Sequence, residues 1–154
     1  MRVADLSPAL QDAVGKRDLI VFDGHCVLCS GFFAFMLRVD RTERFAFATA
    51  QGAVGQALYR ELGLPTGDFE TNLVVVDGVI HQRLGAFLAA MAAVGWPWRA
   101  LTVLRLLPRG LQDAAYHRIA RNRYRIFGRT EACLVPDASL RARFLDTLAP
   151  APAA

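Results

Sequence analysis

Residues 18–37 read DLIVFDGHCVLCSGFFAFML, and this stretch decides the fold. Its first part, Asp18–Asp23, is a short apolar run that ends in Asp-Gly, which predicts a buried strand. From Cys26 to Asp40 apolar residues recur at helical spacing, which predicts a helix. The pair Cys26 and Cys29 therefore lies where a strand passes into a helix.

The rest of the chain continues with strands and helices of ordinary length. A second strand is expected at Arg44–Thr49 and a helix at Gln56–Leu62. Two further strands, Leu73–Val76 and Val79–His81, flank an Asp-Gly dipeptide that suits a tight hairpin turn. The other predicted elements are helices, at about residues 84–94, 98–106, 109–127 and 137–148.

This order of elements predicts the fold class. The order β-α-β-α-β-β-α gives an α/β domain with a four-stranded mixed sheet, flanking helices and a C-terminal helical extension, as in a thioredoxin-like fold. We expect residues 1–16 to be a loosely structured lead-in, residues 17–148 to form the single domain, and residues 149–154 to be a disordered tail.

Composition narrows the class of protein. The chain has 154 residues, 54% of them hydrophobic, which is enough for one core without disulfide bonds or a structural metal. It contains three cysteines and no recognisable signal peptide, so we expect a reducing, cytoplasmic setting. In that setting a close cysteine pair is more often catalytic or metal-binding than structural.

The net charge of +4 comes from arginine and is concentrated in one segment. Eight arginines and a single acid, Asp113, lie between Arg99 and Arg129. No stacking motif or zinc-finger spacing accompanies them, so we expect a solvated helix face and no nucleic-acid partner. The corner at Trp96 and Trp98 is a candidate contact for a membrane surface or a protein partner.

The cysteine pair suits thiol–disulfide exchange. A cysteine at the start of a helix lies among free backbone N–H groups, which favour its thiolate. Cys26 is therefore the expected attacking thiolate, and Cys29, one turn further in and shielded from solvent, the resolving thiol. His25 either favours that thiolate when protonated or is an exposed loop residue without a role.

Asp23 and Gly24 precede the cysteine pair, and their roles have to be considered separately. A partly buried Asp23 with a raised pKa would accept or supply the proton of Cys29. Alternatively, Asp23 hydrogen-bonds the backbone of the turn that follows it. Gly24 is expected to supply a turn that a Cβ atom would obstruct.

Other interpretations of the pair also stay open. A structural zinc site needs four ligands, and beyond the pair the sequence offers only Cys133 and three scattered histidines. A metal site, an iron–sulfur cluster shared between two chains, and two buried structural thiols are the alternatives. We expect no metal and no organic cofactor.

Three segments resemble the DCC family of thiol–disulfide oxidoreductases, which is named after its Asp, Cys and Cys. They are VFDGHCVLCSGFFAFMLRVD, VVVDGVIHQRLGAFLAAMAAVGWPW and YRIFGRTEACLVP, and the resemblance extends over about residues 18–145. It assigns those three positions to Asp23, Cys26 and Cys29, and it implies a thioredoxin-like fold with a dithiol site. It names no substrate.

The chain departs from well-understood thioredoxin-like enzymes before its third strand. Those enzymes carry a cis-proline there, whereas this chain has FETNLVVV, so Thr71 is the candidate for the place beside the disulfide. Cys133 is either a third, relaying thiol or a buried small side chain. Arg123, Arg125 and Arg129 either hold an anion or thiolate or pair with carboxylates.

The sequence therefore predicts an enzyme of dithiol exchange, with a protein or small-molecule disulfide or thiol as substrate and a cellular reductant that regenerates the dithiol. The alternative is a non-enzymatic binding module that docks a partner or a membrane through the Trp96–Trp98 corner and the arginine-rich face of residues 99–129.

Overall fold

The computed structural model describes residues 1–129, 138 and 140–145. In chain order the α-helices are α1 (Pro8–Val14), α2 (Val27–Val39), α3 (Ala53–Glu61), α4 (Arg83–Val94) and α5 (Arg109–Phe127). The strands are β1 (Asp18–Phe22), β2 (Phe45–Thr49), β3 (Leu73–Val76) and β4 (Val79–Gln82). Short 3₁₀ helices span Val3–Asp5, Trp98–Leu106 and Arg141–Arg143.

The described strands form one mixed sheet in the order β2-β1-β3-β4. β1 runs parallel to β2 and antiparallel to β3, and β3 pairs with β4 in a hairpin. Asp77 and Gly78 turn that hairpin, both at positive φ, as an Asp-Gly turn requires. With helices on both faces, this is the α/β, thioredoxin-like arrangement that the sequence predicts.

Alternation along the strands builds a core on each face of the sheet. On one face Leu19 and Val21 of β1 pack with side chains of α1 and α3. On the other face Ile20 and Phe22 pack with Phe33 of α2 and with residues of α4. Because β1 is central and fully buried, the residues that follow it are held on a rigid support.

The N-terminal segment corrects one prediction. Residues 1–16 are not loosely structured, because Leu6, Leu10 and Val14 are buried in the core beside α3. The backbone N–H of Val3 also donates to the carbonyl oxygen of Gly78 at 2.9 Å. The helical spacing of these apolar residues was the signal for this packing.

Other elements differ from prediction in type or length. Helix α3 begins three residues earlier than expected, at Ala53. Residues 98–106 form a 3₁₀ helix, and Arg141–Arg143, inside the helix expected at 137–148, is also a 3₁₀ turn. Residues 138, 140, 144 and 145 of that expected helix are described and are not α-helical, whereas its other residues, the tail 149–154 and Cys133 lie outside the described residues.

Candidate active site

The cysteine pair lies at the start of α2, directly after β1. Cys26 is the N-cap residue, and its Sγ accepts the backbone N–H of Cys29 at 3.4 Å. Both cysteines are free thiols. A cysteine N-cap replaces the usual hydroxyl or carboxylate acceptor with sulfur, so the helix end favours the sulfur as an anion.

The thiol groups differ sharply in acidity. The hydrogen bond from the Cys29 side chain lowers the pKa of Cys26 to about 6, with support from the Cys29 backbone N–H and the charge of Arg123. The same hydrogen bond, together with burial, raises the pKa of Cys29. The reduced pair therefore holds one thiolate, at Cys26, and one thiol, at Cys29.

The exposure of the cysteines is opposite to the prediction. Cys26 is completely buried, whereas Cys29 keeps part of its surface accessible. The backbone of Cys26 also forms an isolated antiparallel bridge with Arg129, beyond the end of α5. This pairing could not be foreseen from α2 alone, since it involves a segment about a hundred residues further along the chain.

Asp23 is buried beside the pair and is surrounded by donors. Its Oδ1 accepts the backbone N–H of His25 at 3.0 Å and Nε2 of Gln51 at 2.6 Å. Its Oδ2 accepts the hydroxyl of Tyr124 and lies 3.4 Å from a guanidinium nitrogen of Arg123. The expected contact with the backbone of the turn is therefore present.

These donors set the charge of Asp23. Burial alone would raise its pKa, but the hydrogen bonds from Tyr124, Gln51 and His25 and the charge of Arg123 together lower it. The sequence-based expectation of a raised pKa is thus wrong in direction. An ionised Asp23 can accept a proton, but it holds none to supply.

Gly24 and His25 complete the turn. The N–H of Gly24 donates to Oε1 of Gln51 at 3.1 Å, and Nδ1 of His25 lies 3.1 Å from Nε2 of the same Gln51. A Cβ atom on Gly24 would meet Gln51 at 3.4 Å, an ordinary contact, so the expected obstruction is absent. His25 is exposed.

Arg123, a residue of helix α5, contacts the carboxylate of Asp23 and acts on the thiol pair through its charge. Its side chain is 4% exposed and also lies 3.6 Å from Asp68. The guanidinium groups of Arg123 and Arg129 lie over the ring of Tyr124, at 4.5 and 4.3 Å from its centre. Of the two functions expected for these arginines, Arg123 combines both, since it pairs with a carboxylate and its charge favours the Cys26 thiolate.

Sequence reasoning missed Gln51 and Tyr124. Gln51 follows β2, and because β2 is parallel to β1 the ends of both strands meet at the same edge of the sheet. Tyr124 is part of the YRIFG segment, so that motif was the available signal for it. Thr71, expected beside the pair, offers its carbonyl oxygen to the hydroxyl of Tyr59, and its place at the disulfide stays a prediction.

The remaining candidate features lie away from the pair. Trp96 is 81% exposed, whereas Trp98 packs edge-on against Phe35 with ring centres 4.7 Å apart, so contact with a partner through this corner stays a prediction. In the described part of the chain no three His, Cys, Asp or Glu residues are grouped as a metal ion requires. None of the described helices is both long and apolar enough to cross a membrane.

Comparison with known proteins agrees with this geometry. The model of the DCC1-like thiol-disulfide oxidoreductase family matches residues 20–129, which hold the last three residues of β1, the cysteine pair and α5. The uncharacterized protein YuxK of Bacillus subtilis is 32% identical over 127 residues, which cover 82% of this chain and 93% of YuxK. The chloroplastic DCC family protein At1g52590 of Arabidopsis thaliana is 30% identical over 119 residues, which cover 77% of this chain and 69% of that protein.

No solved structure matches the chain. The family match spans more than half of the sequence and includes Asp23, Cys26 and Cys29. This chain belongs to the DCC1-like thiol-disulfide oxidoreductase family.

Proposed function

We propose that the chain catalyses dithiol–disulfide exchange with Cys26 as the nucleophile and Cys29 as the resolving thiol. The proposal rests on one observation, the hydrogen bond that the backbone N–H of Cys29 donates to the Sγ of Cys26 at the N-terminus of α2. A thiolate is the attacking species in disulfide exchange, and the lowered pKa of Cys26 supplies one at neutral pH.

In the first step the Cys26 thiolate attacks one sulfur of a substrate disulfide. A Cys26–substrate disulfide forms, and the other substrate sulfur leaves with the electron pair and takes a proton. Because Cys26 is completely buried, the attack requires the chain around it to move.

In the second step Cys29 attacks Cys26 and releases the substrate. The thiolate of Cys26 no longer exists in the mixed disulfide, so the largest cause of the raised Cys29 pKa is gone. The charge of Asp23 still raises the pKa of Cys29 and the charge of Arg123 lowers it, and the ionised Asp23 is the acceptor that we propose for the Cys29 proton. The products are a protein disulfide and a reduced substrate, a transfer of two electrons.

The test is a redox titration in glutathione buffers, with free thiols counted by mass after alkylation. We expect two thiols, Cys26 and Cys29, to disappear together with one midpoint. The Cys29→Ser variant should accumulate a mixed disulfide at Cys26, because no resolving thiol remains, whereas the unaltered chain should not. Independent alkylation of all thiols without a midpoint would refute the exchange mechanism and favour the binding module instead.

A further inference from the structure

A cavity of about 420 Å³ lies at the end of the sheet between α2, α4 and α5, and Cys29 forms part of its wall. Most of the wall is apolar, and its side chains include Leu28, Phe32, Phe69, Phe87, Ala120 and Phe127. This volume is within the range of small-molecule sites in proteins. A compound of this size would touch Cys29.

The two cysteines differ in their relation to this cavity. Cys26 is not part of its wall and is completely buried. The described structure therefore opens Cys29, and not Cys26, to a ligand of the cavity. A full catalytic cycle also has two partners, the disulfide substrate and the reductant that restores the dithiol.

Some polar groups of the cavity wall are already hydrogen-bonded. The hydroxyl of Tyr116 is shared with the carbonyl of Glu70 at 2.7 Å and with Oδ1 of Asn72 at 2.8 Å. Arg123 differs, because its buried Nε has no hydrogen-bond partner among the described residues. The cavity therefore suits a ligand with an apolar body that brings one acceptor or anion to the guanidinium group.

From this arrangement we infer that the cavity binds the reductant of the cycle, a small apolar dithiol, which attacks the protein disulfide at Cys29. The inference rests on the proposed function, since it presumes that Cys26 and Cys29 form a disulfide. A small molecule is favoured over a protein reductant because the volume and the apolar wall of the cavity match a small ligand.

The reaction balances without a further reactant. One thiolate of the dithiol attacks the Sγ of Cys29, the Cys26–Cys29 bond breaks, and Cys26 leaves as a thiolate with the electron pair. The second thiol of the ligand then loses its proton and attacks the ligand sulfur that is bonded to Cys29. The bond from that sulfur to Cys29 breaks, the Cys29 sulfur takes a proton, and the ligand departs as a cyclic disulfide. Two electrons pass from the dithiol to the pair.

Two features favour attack at Cys29 over attack at Cys26. A sulfur that leaves as a better stabilised thiolate leaves faster, and the Cys26 thiolate keeps the backbone N–H of Cys29 and the charge of Arg123 in its favour after the Cys29 side chain has ceased to donate. The buried Nε of Arg123, on the cavity wall, is a donor for the incoming thiolate, although Asp23 and Glu70 on the same wall oppose its charge. The leaving thiolate of Cys26 is also the nucleophile that the next substrate requires.

The first test measures the rate at which two dithiols reduce the oxidised protein. For each dithiol, the rate of reduction of the protein is divided by its rate with glutathione disulfide, which corrects for intrinsic reactivity. We expect this ratio to be about ten-fold higher for dihydrolipoamide, which is apolar, than for dithiothreitol, because the chain of dihydrolipoamide buries apolar surface in the cavity. Ala115→Phe narrows the cavity and should abolish this preference. The matched control is Ala114→Phe, an exposed neighbour on α5 outside the cavity wall, which should retain it.

The second test does not depend on disulfide exchange in the protein. In Cys26→Ser the remaining thiol of the pair should react faster with benzyl methanethiosulfonate than with hydroxyethyl methanethiosulfonate, and Ala115→Phe should remove the difference. Equal rates for both reagents, or equal effects of Ala114→Phe and Ala115→Phe, would overturn the inference. A titration without a two-thiol midpoint would instead refute the proposed function, so the two failures are distinguishable.

Discussion

The Sγ of Cys26 accepts the backbone N–H of Cys29 at 3.4 Å, and the Cys29 side chain donates to the same sulfur. The backbone bond is a property of the helix end, whereas the side-chain bond depends on the residue at position 29. Substitutions at this position separate the two contributions.

We expect Cys29→Ala to raise the pKa of Cys26 from about 6 towards its ordinary value, because the strongest donor is removed. Cys29→Ser should raise it less, since a hydroxyl can still donate. Ultraviolet absorbance of the thiolate against pH measures both, in proteins that also carry Cys133→Ser. A pKa of Cys26 that stays at about 6 in both variants would show that the side chain at position 29 does not set the acidity.

The acidity of Cys26 also predicts how the stability of the reduced protein depends on pH. A pKa lowered on folding stabilises the native state above the unfolded pKa, and the benefit is lost as pH falls through the folded value. The free energy of unfolding of the reduced protein, relative to Cys26→Ser, should therefore rise between pH 6 and pH 9.

The raised pKa of Cys29 changes the stability with pH in the opposite direction. Its contribution is complete below the unfolded pKa of 9.0 and is lost only above it, so it does not cancel the rise at neutral pH. Each pKa unit corresponds to about 1.4 kcal/mol, which urea unfolding at a series of pH values resolves readily. A flat difference across this interval would contradict the lowered pKa of Cys26.

Arg123 is expected to act on the thiol pair through its charge. Arg123→Met should raise the pKa of Cys26, because the favourable charge is lost, and Arg123→Lys should restore part of the effect. Arg125→Met, an exposed position on the same helix, is the control and should leave the pKa unchanged. Equal shifts in Arg123→Met and Arg125→Met would mean that the net charge of α5 matters and not this side chain.

The sequence predicted the strands and the start of α2 well because those signals are local. The apolar run of β1, the Asp-Gly turn and the helical spacing after Cys26 each lie within a few residues. The N-terminal helix was missed although Leu6, Leu10 and Val14 have helical spacing, because nothing local shows that a core is available to receive them.

Only those residues of the candidate site that are close together in the sequence could be predicted. Cys26, Cys29 and Asp23 are neighbours in sequence, whereas Gln51 and Tyr124 reach Asp23 from other elements. The lowered pKa of Asp23 depends on these distant donors, so sequence alone could not give its direction. The same is true of the backbone bridge between Cys26 and Arg129, which joins distant parts of the chain.

Gly55 is required for the packing of α3 against the end of β2. A Cβ atom at this position would lie 2.1 Å from the carbonyl oxygen of Thr49 and 2.8 Å from the Cα of Ala50, so backbone would have to move. We expect Gly55→Ala to lower the free energy of unfolding by about 3 kcal/mol. Gly85→Ala, in α4 with open space around it, should instead leave the stability unchanged or raise it by about 1 kcal/mol. Urea unfolding of the two variants gives the comparison, and similar values would show that α3 shifts without cost.

The C-terminal 3₁₀ turn is joined to the sheet by a buried ion pair. A guanidinium nitrogen of Arg143 lies 2.5 Å from Oδ2 of Asp40, and its Nε donates to the carbonyl oxygen of Phe45 at 3.1 Å. Asp40 also accepts the backbone N–H groups of Arg44 and Phe45, at 3.1 and 3.0 Å. Each charge is therefore compensated by the other, but Asp40 has more partners.

This asymmetry gives an ordered prediction for a double-mutant cycle. Asp40→Ala leaves a buried guanidinium without its anion and should cost about 3–5 kcal/mol of unfolding free energy. Arg143→Leu should cost less, because two backbone N–H groups still hold the carboxylate. The double variant should lose less unfolding free energy than the two single variants lose together, since removing both partners leaves no unpaired buried charge. Additive costs in urea unfolding would show that the pair is not coupled, and the turn at Arg141–Arg143 would then be held by the packing of Phe144 against Phe47 and Phe33.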